Sequence, residues 1–178
     1  MDLKSKIILI SGPTASGKSD FAVRLAKKVK GEIINADSMQ VYKETKILTA
    51  RPGPEEQKKI KHHLYGFLSI RRKFSTGQWL ELAIKKIKKI QKKDKIPILV
   101  GGTGLYFKAL THGFAKIPKI SLRQRKIVSD LQVKLGQKKF YIKLVKIDPK
   151  IKKIINKNDI QRSIRAYEVK KFTKKSLH

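Results

Sequence analysis

The fold of this 178-residue chain is decided by the stretch Gly12-Pro13-Thr14-Ala15-Ser16-Gly17-Lys18-Ser19. The stretch follows an apolar run, Ile7-Ile8-Leu9-Ile10, and precedes a segment whose apolar residues recur at helical spacing. A loop with the pattern G-x-x-x-x-G-K-[ST] between a strand and a helix is typical of phosphate binding, as in nucleotide-binding and ATP-binding proteins. We therefore predict a buried strand at residues 6–11, a phosphate- or pyrophosphate-binding loop, and a helix at residues 18–30.

Each residue type in this loop has a physical role in holding an anion. Gly12 and Gly17 let the backbone wrap closely, so that successive N–H groups converge on one phosphate. The helix that follows adds its positive end, Lys18 adds a full charge, and the Ser19 hydroxyl can ligate Mg²⁺. We predict Mg²⁺ as the cofactor and Ser19 as its ligand. The predicted phosphate-binding residues are Gly12, Pro13, Thr14, Ala15, Ser16, Gly17, Lys18 and Ser19.

A second strand is predicted at residues 32–36, directly after Gly31 ends the helix. Strand, loop, helix and strand form a βαβ unit, which implies parallel pairing with a right-handed crossover. Asp37 then lies at the carboxyl end of a parallel strand, where open α/β sheets bind their ligands. A carboxylate at this point can be a metal ligand, a general base or a helix cap, and the pattern leaves these three roles open.

A third buried strand is predicted at residues 96–100 and ends in Gly101-Gly102-Thr103-Gly104. An ATPase or GTPase is expected to carry at this point the Asp that supports Mg²⁺, so its absence argues against ordinary nucleotide hydrolysis. Between the second and third strands we predict helices at 55–61 and 76–93 and a short strand at 64–67. The predicted fold class is α/β, a P-loop NTPase-like three-layer core with a parallel sheet.

The character of the chain changes after Pro118. Helices are predicted on both sides of Gly136 and from residue 159 to about residue 172, and no strand is predicted in this half. We therefore divide the chain into a P-loop core, residues 1–117, and a basic helical insertion region, residues 118–178.

The amino-acid composition indicates which binding partners and which cellular location to expect for the protein. The 44 Lys and Arg residues against 13 Asp and Glu give a net charge of +31, which suggests a polyanion and first of all nucleic acid. A lysine excess from an AT-rich genome explains the same number, and both interpretations stay open. No apolar run is long enough to span a membrane, we expect no signal peptide, and the absence of cysteine excludes thiolate metal sites. We expect a cytoplasmic monomer with no membrane contact.

Four motifs, in order along the chain, resemble those of the bacterial tRNA dimethylallyltransferases, which prenylate an adenosine next to the anticodon. They are residues 12–19, Asp37-Ser38-Met39-Gln40-Val41-Tyr42, residues 96–106 (IPILVGGTGLY), and Asn158-Asp159-Ile160-Gln161-Arg162-Ser163-Ile164-Arg165-Ala166, which is similar to N-D-P-Q-R-x-x-R-A. The chain departs from the family pattern at Leu48, where Gly is usual, and at Lys61 and Ile160, where Pro is usual.

The resemblance implies a specific reaction. A dimethylallyl group would pass from dimethylallyl diphosphate to N6 of the adenosine 3′-adjacent to the anticodon, with the base flipped out of its stack. Lys18 and Mg²⁺ would stabilise the departing diphosphate, and Thr14 would contact it. Asp37 would accept the proton from N6. The implied catalytic residues are therefore Asp37 and Lys18.

The resemblance also implies tRNA-binding residues in both halves of the chain, with the anticodon stem-loop as the partner. They are Asp37, Ser38, Met39, Gln40, Thr103, Gln161, Arg162, Ser163, Ile164 and Arg165. Such a partner would account for the strongly positive net charge.

Length is the main departure from the family, whose members run to roughly 300 residues. The resemblance therefore implies that this chain corresponds to the N-terminal part, with a sheet left incomplete by C-terminal truncation and without the C-terminal helices that grip the anticodon stem. Three functions stay open at this point. They are the prenyltransferase, inactive or active as this chain; a small-molecule kinase built on the same loop; and a non-catalytic RNA-binding remnant.

Overall fold

The computed structural model describes residues 6–113 and 120–177. The chain divides into two compact units, residues 1–114 and 115–178. The domain boundary predicted at 117/118 lies outside the described residues. In the described part of the chain, no helix is long and apolar enough to cross a membrane.

The first unit is built on an open parallel sheet of four strands. In spatial order they are β1 (Ile8–Ser11), β4 (Ile96–Gly101), β2 (Gly31–Asn35) and β3 (His62–His63). All three neighbouring pairs are parallel, and the register places Leu9 beside Leu99 and Asn35 beside Val100. The carboxyl ends of β1, β2 and β4 therefore meet at one edge of the sheet.

Helices cover both faces of this sheet. They are α1 (Lys18–Lys28), α3 (Thr76–Gln91) and α4 (Gly104–His112), whereas α2 (Pro54–Lys59) is a short helix without buried residues. Side chains alternate across a strand, so Ile33 packs on one face with Ala22 of α1, while Ile34 packs on the other face with Trp79 of α3. Helix, sheet and helix form three layers, and the predicted α/β class is confirmed.

Strand β1 differs from the buried strand predicted at residues 6–11. It lies at the edge of the sheet, and Ile7 and Leu9 are each 40% exposed. An edge strand has a neighbour on one side only, so an apolar run there need not be buried. The position of the strand was predicted correctly and its burial was not.

The prediction of a short strand at residues 64–67 is also wrong. Strand β3 comprises His62 and His63, and it ends there because Leu64 adopts a left-handed backbone with φ of 62°. Extended backbone cannot continue through such a residue. Gly66, with φ of 52°, turns the chain again two residues later.

The second unit contains only helices among its described residues. They are α5 (Leu122–Ile147), a 3₁₀ helix (Pro149–Lys153) and α6 (Ile160–Thr173). Their core includes Phe140, Leu144 and Tyr167. Helix α5 is broken at Gly136, where φ is 69° and ψ is 160°, as expected from the two helices predicted on either side of this glycine.

Candidate active site

The loop between β1 and α1 has the backbone shape of an anion-binding nest. Ala15 and Gly17 both adopt left-handed φ values, 63° and 75°. A Cβ at Gly12 would lie 3.0 Å from Ser16 Oγ, so the closeness of the turn favours glycine at that position. A backbone of this kind turns N–H groups into a common concavity.

The start of helix α1 adds free N–H groups to this concavity, because no side chain caps its first turn. Its N-cap residue is Gly17, whereas α3, α5 and α6 are capped by Ser75, Ser121 and Asp159, whose side chains each accept a backbone N–H. The first N–H groups of a helix have no partner inside the helix. Those of α1 are therefore available, with the positive end of the helix dipole, to an anionic ligand.

A cavity of about 300 Å³ lies over this loop. It is lined by Thr14, Ala15, Ser16, Gly17, Lys18, Ser19, Asp20, Asp37, Gln40, Thr49, Ala50 and Glu56. Lys18 Nζ donates to the Pro13 carbonyl at 2.7 Å, which ties the ammonium across the loop. Gly12 and Pro13 line an adjoining cavity that shares Lys18. The structure thus brings all the predicted loop residues together with Asp37 and Gln40.

Asp37 is held at the end of β2 by the side-chain amide of Asn35. Asn35 Oδ1 accepts from the Asp37 N–H at 2.9 Å, and Asn35 Nδ2 donates to the Asp37 carbonyl at 2.9 Å and to the Leu64 carbonyl at 3.0 Å. Asp37 Oδ1 accepts from the Met39 N–H at 2.9 Å. Among the described residues no donor reaches Asp37 Oδ2, so this oxygen can serve as a proton acceptor.

The glycines after β4 let the main chain of Asp37 approach the end of that strand. A Cβ at Gly101 would lie 2.1 Å from the Ala36 carbonyl carbon and 2.6 Å from the Asp37 nitrogen, so only glycine fits. A Cβ at Gly102 would lie 3.3 Å from the Gly12 carbonyl oxygen and 3.8 Å from Asp37 Oδ2. Gly102 therefore lies between the phosphate loop and the carboxylate. The close approach at Gly101 is made by the protein's own backbone.

Thr103 connects the end of β4 to the segment that follows Asp37. Its Oγ1 accepts from the Ser38 N–H at 2.9 Å and donates to Ser38 Oγ at 3.2 Å. Gln40 Nε2 donates to the Thr49 carbonyl at 2.7 Å, whereas Met39 is 51% exposed. Of the tRNA-binding residues predicted in this unit, Ser38, Gln40 and Thr103 thus hold the loop together, and Met39 presents an open apolar side chain.

Two stacked aromatic residues support the strand end that carries Asp37. Trp79 belongs to none of the four motifs, whereas Tyr106 is the last residue of the third. Trp79 stacks on Tyr106 with ring centroids 4.1 Å apart, and its Nε1 donates to the Asn35 carbonyl at 2.9 Å. Burial raises the pKa of Tyr106 to about 12, with smaller contributions from Tyr42 and Asp37. The Tyr106 phenol therefore stays protonated near neutral pH. The sequence signals for this support are Tyr106 at the end of the third motif and the single Trp of the chain, which lies on α3.

Helix α6 carries the remaining predicted tRNA-binding residues. Gln161 and Arg162 are exposed at its start, where Asp159 Oδ1 accepts the Arg162 N–H at 2.9 Å. Ser163 is fully buried and donates to the Asp159 carbonyl, and Ile164 packs against the core of the unit. Gln161 and Arg162 thus face solvent, whereas Ser163 and Ile164 stabilise the helix.

Arg165 forms an ion pair inside the second unit that uses one of its guanidinium nitrogens. Its Nη1 lies 3.0 Å from Glu168 Oε2, and the Glu168 side chain is 7% exposed. A guanidinium held by a buried carboxylate is oriented, so its remaining N–H groups point in a defined direction. Glu168 has no place in the motifs quoted above, although its spacing of three residues from Arg165 on a helix could have indicated the pair.

Comparison with known proteins identifies the family. The family model described as IPP transferase matches residues 40–178. The chain belongs to the IPP transferase family. This IPP transferase chain is 68% identical over 178 residues to the tRNA dimethylallyltransferase of Pelagibacter ubique, a match that covers 100% of the chain and 57% of that protein. It is 51% identical over 174 residues to that of Rickettsia canadensis, over 98% of the chain and 54% of that protein.

Solved structures agree with this assignment. A eukaryotic dimethylallyltransferase solved acting on tRNA matches the IPP transferase chain with a TM-score of 0.83 and 32% identity, over 96% of this chain and 42% of that one. The tRNA isopentenylpyrophosphate transferase of Bacillus halodurans matches with a TM-score of 0.61 and 39% identity, over 94% and 56%. The resemblance predicted from the four motifs is confirmed. The chain spans little more than half the length of the curated relatives it matches.

Proposed function

We propose that this IPP transferase chain takes part in transferring a dimethylallyl group from dimethylallyl diphosphate to N6 of the adenosine 3′-adjacent to the anticodon of tRNA. The observation that carries the proposal is the shared cavity, in which the phosphate loop faces the Asp37 carboxylate. The names of the relatives support the same reaction, since they are tRNA dimethylallyltransferases.

The diphosphate would bind to the loop and to the start of α1. The uncapped N–H groups after Gly17 and the charge of Lys18 would stabilise the negative charge that grows as the allylic C–O bond breaks. Lys18 would exchange its bond to the Pro13 carbonyl for a phosphate oxygen. Thr14, which lines the same cavity, would contact the diphosphate from the side of the loop.

The side chains around the loop fit a Mg²⁺ ion that binds together with a phosphate. The Ser19 hydroxyl and the carboxylates of Asp20 and Asp37 line the cavity, and Mg²⁺ is usually held by one or two such groups and by phosphate oxygens. Within the described residues, no group of three or more His, Asp or Glu side chains could hold a metal alone. When bound, the ion would neutralise charge on the leaving diphosphate.

Asp37 would act on the acceptor. Its Oδ2 would accept the proton that N6 loses as the new C–N bond forms, while Oδ1 stays bonded to the Met39 N–H. A stacked adenine cannot reach a carboxylate next to a buried strand end, so the base must be extruded. Met39, whose side chain is exposed, would contact the extruded region of the RNA.

The tRNA would be held chiefly by charge. A net charge of +31 and the exposed Gln161 and Arg162 at the start of α6 favour the anticodon stem-loop as a partner. A tRNA substrate implies a cytoplasmic location. We further propose a monomer, which light scattering after size-exclusion chromatography would test.

The deciding experiment incubates the chain with labelled dimethylallyl diphosphate, Mg²⁺ and undermodified tRNA, with the Pelagibacter ubique relative as positive control. We expect transfer that Asp37→Asn abolishes and that the exposed control Asp130→Asn leaves unchanged. Phosphoryl transfer from ATP without prenyl transfer would support a small-molecule kinase. Salt-dependent RNA binding that survives Asp37→Ala and Lys18→Ala, without transfer, would support an RNA-binding remnant.

A further inference from the structure

A cavity of about 570 Å³ in the second unit belongs to neither the phosphate loop nor the Asp37 site. It is lined by Gln137, Lys138, Tyr141, Ile142, Lys157 and Asn158. The first four residues lie on α5 directly after the break at Gly136, and the last two lie in the loop that leads into α6. Two separate stretches of chain therefore form its walls.

Hydrogen bonds fix these walls to each other. Tyr141 Oη donates to the Ile155 carbonyl at 2.8 Å, and Gln137 Nε2 donates to the Lys157 carbonyl at 2.7 Å and to Ser163 Oγ at 3.2 Å. Gln137 and Tyr141 are one helical turn apart, so both hold the same segment of the opposite wall. The cavity is thus a formed feature of the unit.

The lining combines apolar surface with positive charge. Ile142 is 50% exposed, and the Tyr141 ring is half-buried beside it. Lys138 and Lys157 are exposed, and neither pairs with a carboxylate of the described residues. The lining contains two amides, at Gln137 and Asn158, and no acidic group. An aromatic and aliphatic surface flanked by two cations suits a planar base whose neighbouring phosphates are negatively charged.

The acidic residue next in the chain does not cancel this charge. Asp159 follows Asn158, but its Oδ1 accepts the Arg162 N–H and its Oδ2 lies 3.5 Å from Arg162 Nε. Arg162 and Gln161 continue the polar, exposed surface from the cavity onto α6. The exposed residues of the cavity and of the start of α6 thus include three cations, Lys138, Lys157 and Arg162.

We propose that this cavity binds one unstacked nucleotide of a single-stranded RNA loop. The base lies against Tyr141 and Ile142, and the adjacent phosphates lie near Lys138 and Lys157. Charge complementarity selects this occupant, because the lining has two cations and no acid in a chain of net charge +31. That the RNA is a tRNA anticodon loop rests on the proposed function.

The first test measures binding of an anticodon stem-loop RNA by the full chain. The double variant Lys138→Gln, Lys157→Gln removes two contacts to phosphates, so we expect the Kd to rise about tenfold and its salt dependence to weaken. The matched control Lys152→Gln, Lys153→Gln removes the same charge from exposed positions outside the cavity, and we expect its Kd to rise less than about threefold.

The second test locates the base. RNA carrying 5-iodouridine in the loop is irradiated with the chain, and the crosslinked peptide is identified by mass spectrometry. We expect a crosslink to Tyr141 that an RNA loop competes away and a duplex of equal length does not. Tyr141→Phe keeps the ring and should keep the crosslink, whereas Tyr141→Leu should lose it.

Equal weakening by the two double variants, together with a crosslink outside residues 137–158, overturns the cavity as a nucleotide site. Dimethylallyl transfer to tRNA would then still support the proposed function. Conversely, a crosslink at Tyr141 without any transfer, under conditions where the Pelagibacter ubique relative is active, removes the proposed function and leaves the cavity as an RNA site.

Discussion

The side-chain amide of Asn35 forms hydrogen bonds to both the N–H and the carbonyl of Asp37, each at 2.9 Å. Asn35 is fully buried, and its amide also reaches the Leu64 carbonyl. A buried amide with all these bonds formed leaves the backbone of Asp37 little freedom. Asn35 is therefore a positioning residue for the carboxylate that faces the phosphate loop.

Replacing Asn35 should loosen Asp37 and destabilise the unit. In Asn35→Ala the Asp37 N–H, the Asp37 carbonyl and the Leu64 carbonyl each lose this partner, which costs about 1–3 kcal/mol for each buried group left unpaired. Hydrogen exchange followed by NMR should show faster exchange at the amides of Asp37 and Met39. Ile87→Ala, a buried change on α3, is the control, since it should lower stability without selectively raising exchange at these two amides. Unchanged exchange in Asn35→Ala contradicts a positioning role.

Gly101 should tolerate no side chain. The Cβ of Gly101→Ala would lie 2.1 Å from the Ala36 carbonyl carbon, so β2 or β4 must shift, and we expect a loss of about 3 kcal/mol or more in the free energy of unfolding. Gly104→Ala is the matched control, because its Cβ meets nothing within 4 Å, and it should be neutral or slightly stabilising. Urea unfolding of both variants measures the difference, and equal stabilities would refute the steric argument.

Lys18 should account for a large part of diphosphate affinity. Lys18→Gln removes the only full positive charge among the residues lining the first cavity, so we expect the Kd for magnesium pyrophosphate to rise about 10- to 100-fold. Lys27→Gln, an exposed change near the end of the same helix, should leave the Kd within about twofold. Isothermal titration calorimetry gives both values. A similar Kd for the two variants would show that the loop binds pyrophosphate without its lysine.

The stability of the first unit should fall in two steps as pH decreases. Glu32 is 2% exposed, and its carboxylate lies 2.7 Å from His63 Nε2 and 3.0 Å from Lys95 Nζ. Burial acts to raise the pKa of Glu32, but the hydrogen bonds from His63 and Lys95 outweigh it and hold that pKa below 4.5. Burial lowers the pKa of His63 below 6.5, and the bond to Glu32 offsets this only in part.

Both shifts have the same sign for stability. The unfolded chain protonates His63 before the folded one as pH falls through 6.5, and it protonates Glu32 first as pH falls through 4.5. Unfolding free energy should therefore be highest above about pH 7, decrease below 6.5, and decrease again below 4.5. Burial also lowers the pKa of His62 below 6.5, so His62 contributes to the same step. Urea titrations should therefore show that His63→Gln reduces the first step and that the exposed control His112→Gln does not. A first step that is undiminished in His63→Gln assigns it to another group.

Much of the fold was predictable because its signals are local. The phosphate loop, the βαβ unit and most helices follow from residues adjacent in sequence, such as Ser75 and Asp159 at their helix starts and the glycine that breaks α5. The position of Asp37 at a strand end follows from the same unit. Family membership follows likewise from short motifs.

By itself the sequence determined the α/β class, the loop between β1 and α1 and the acid at the end of β2, since these follow from local patterns and from the order of strand, loop, helix and strand. Tertiary structure alone decided that β1 is an edge strand, that β3 ends at His63, and that Asn35 binds the Leu64 carbonyl 29 residues further along the chain. It likewise brought Gln137 to Ser163 around a cavity that the motifs mark only at Asn158. Such contacts depend on which distant segments come together, and the local periodicity of the sequence does not specify those partners.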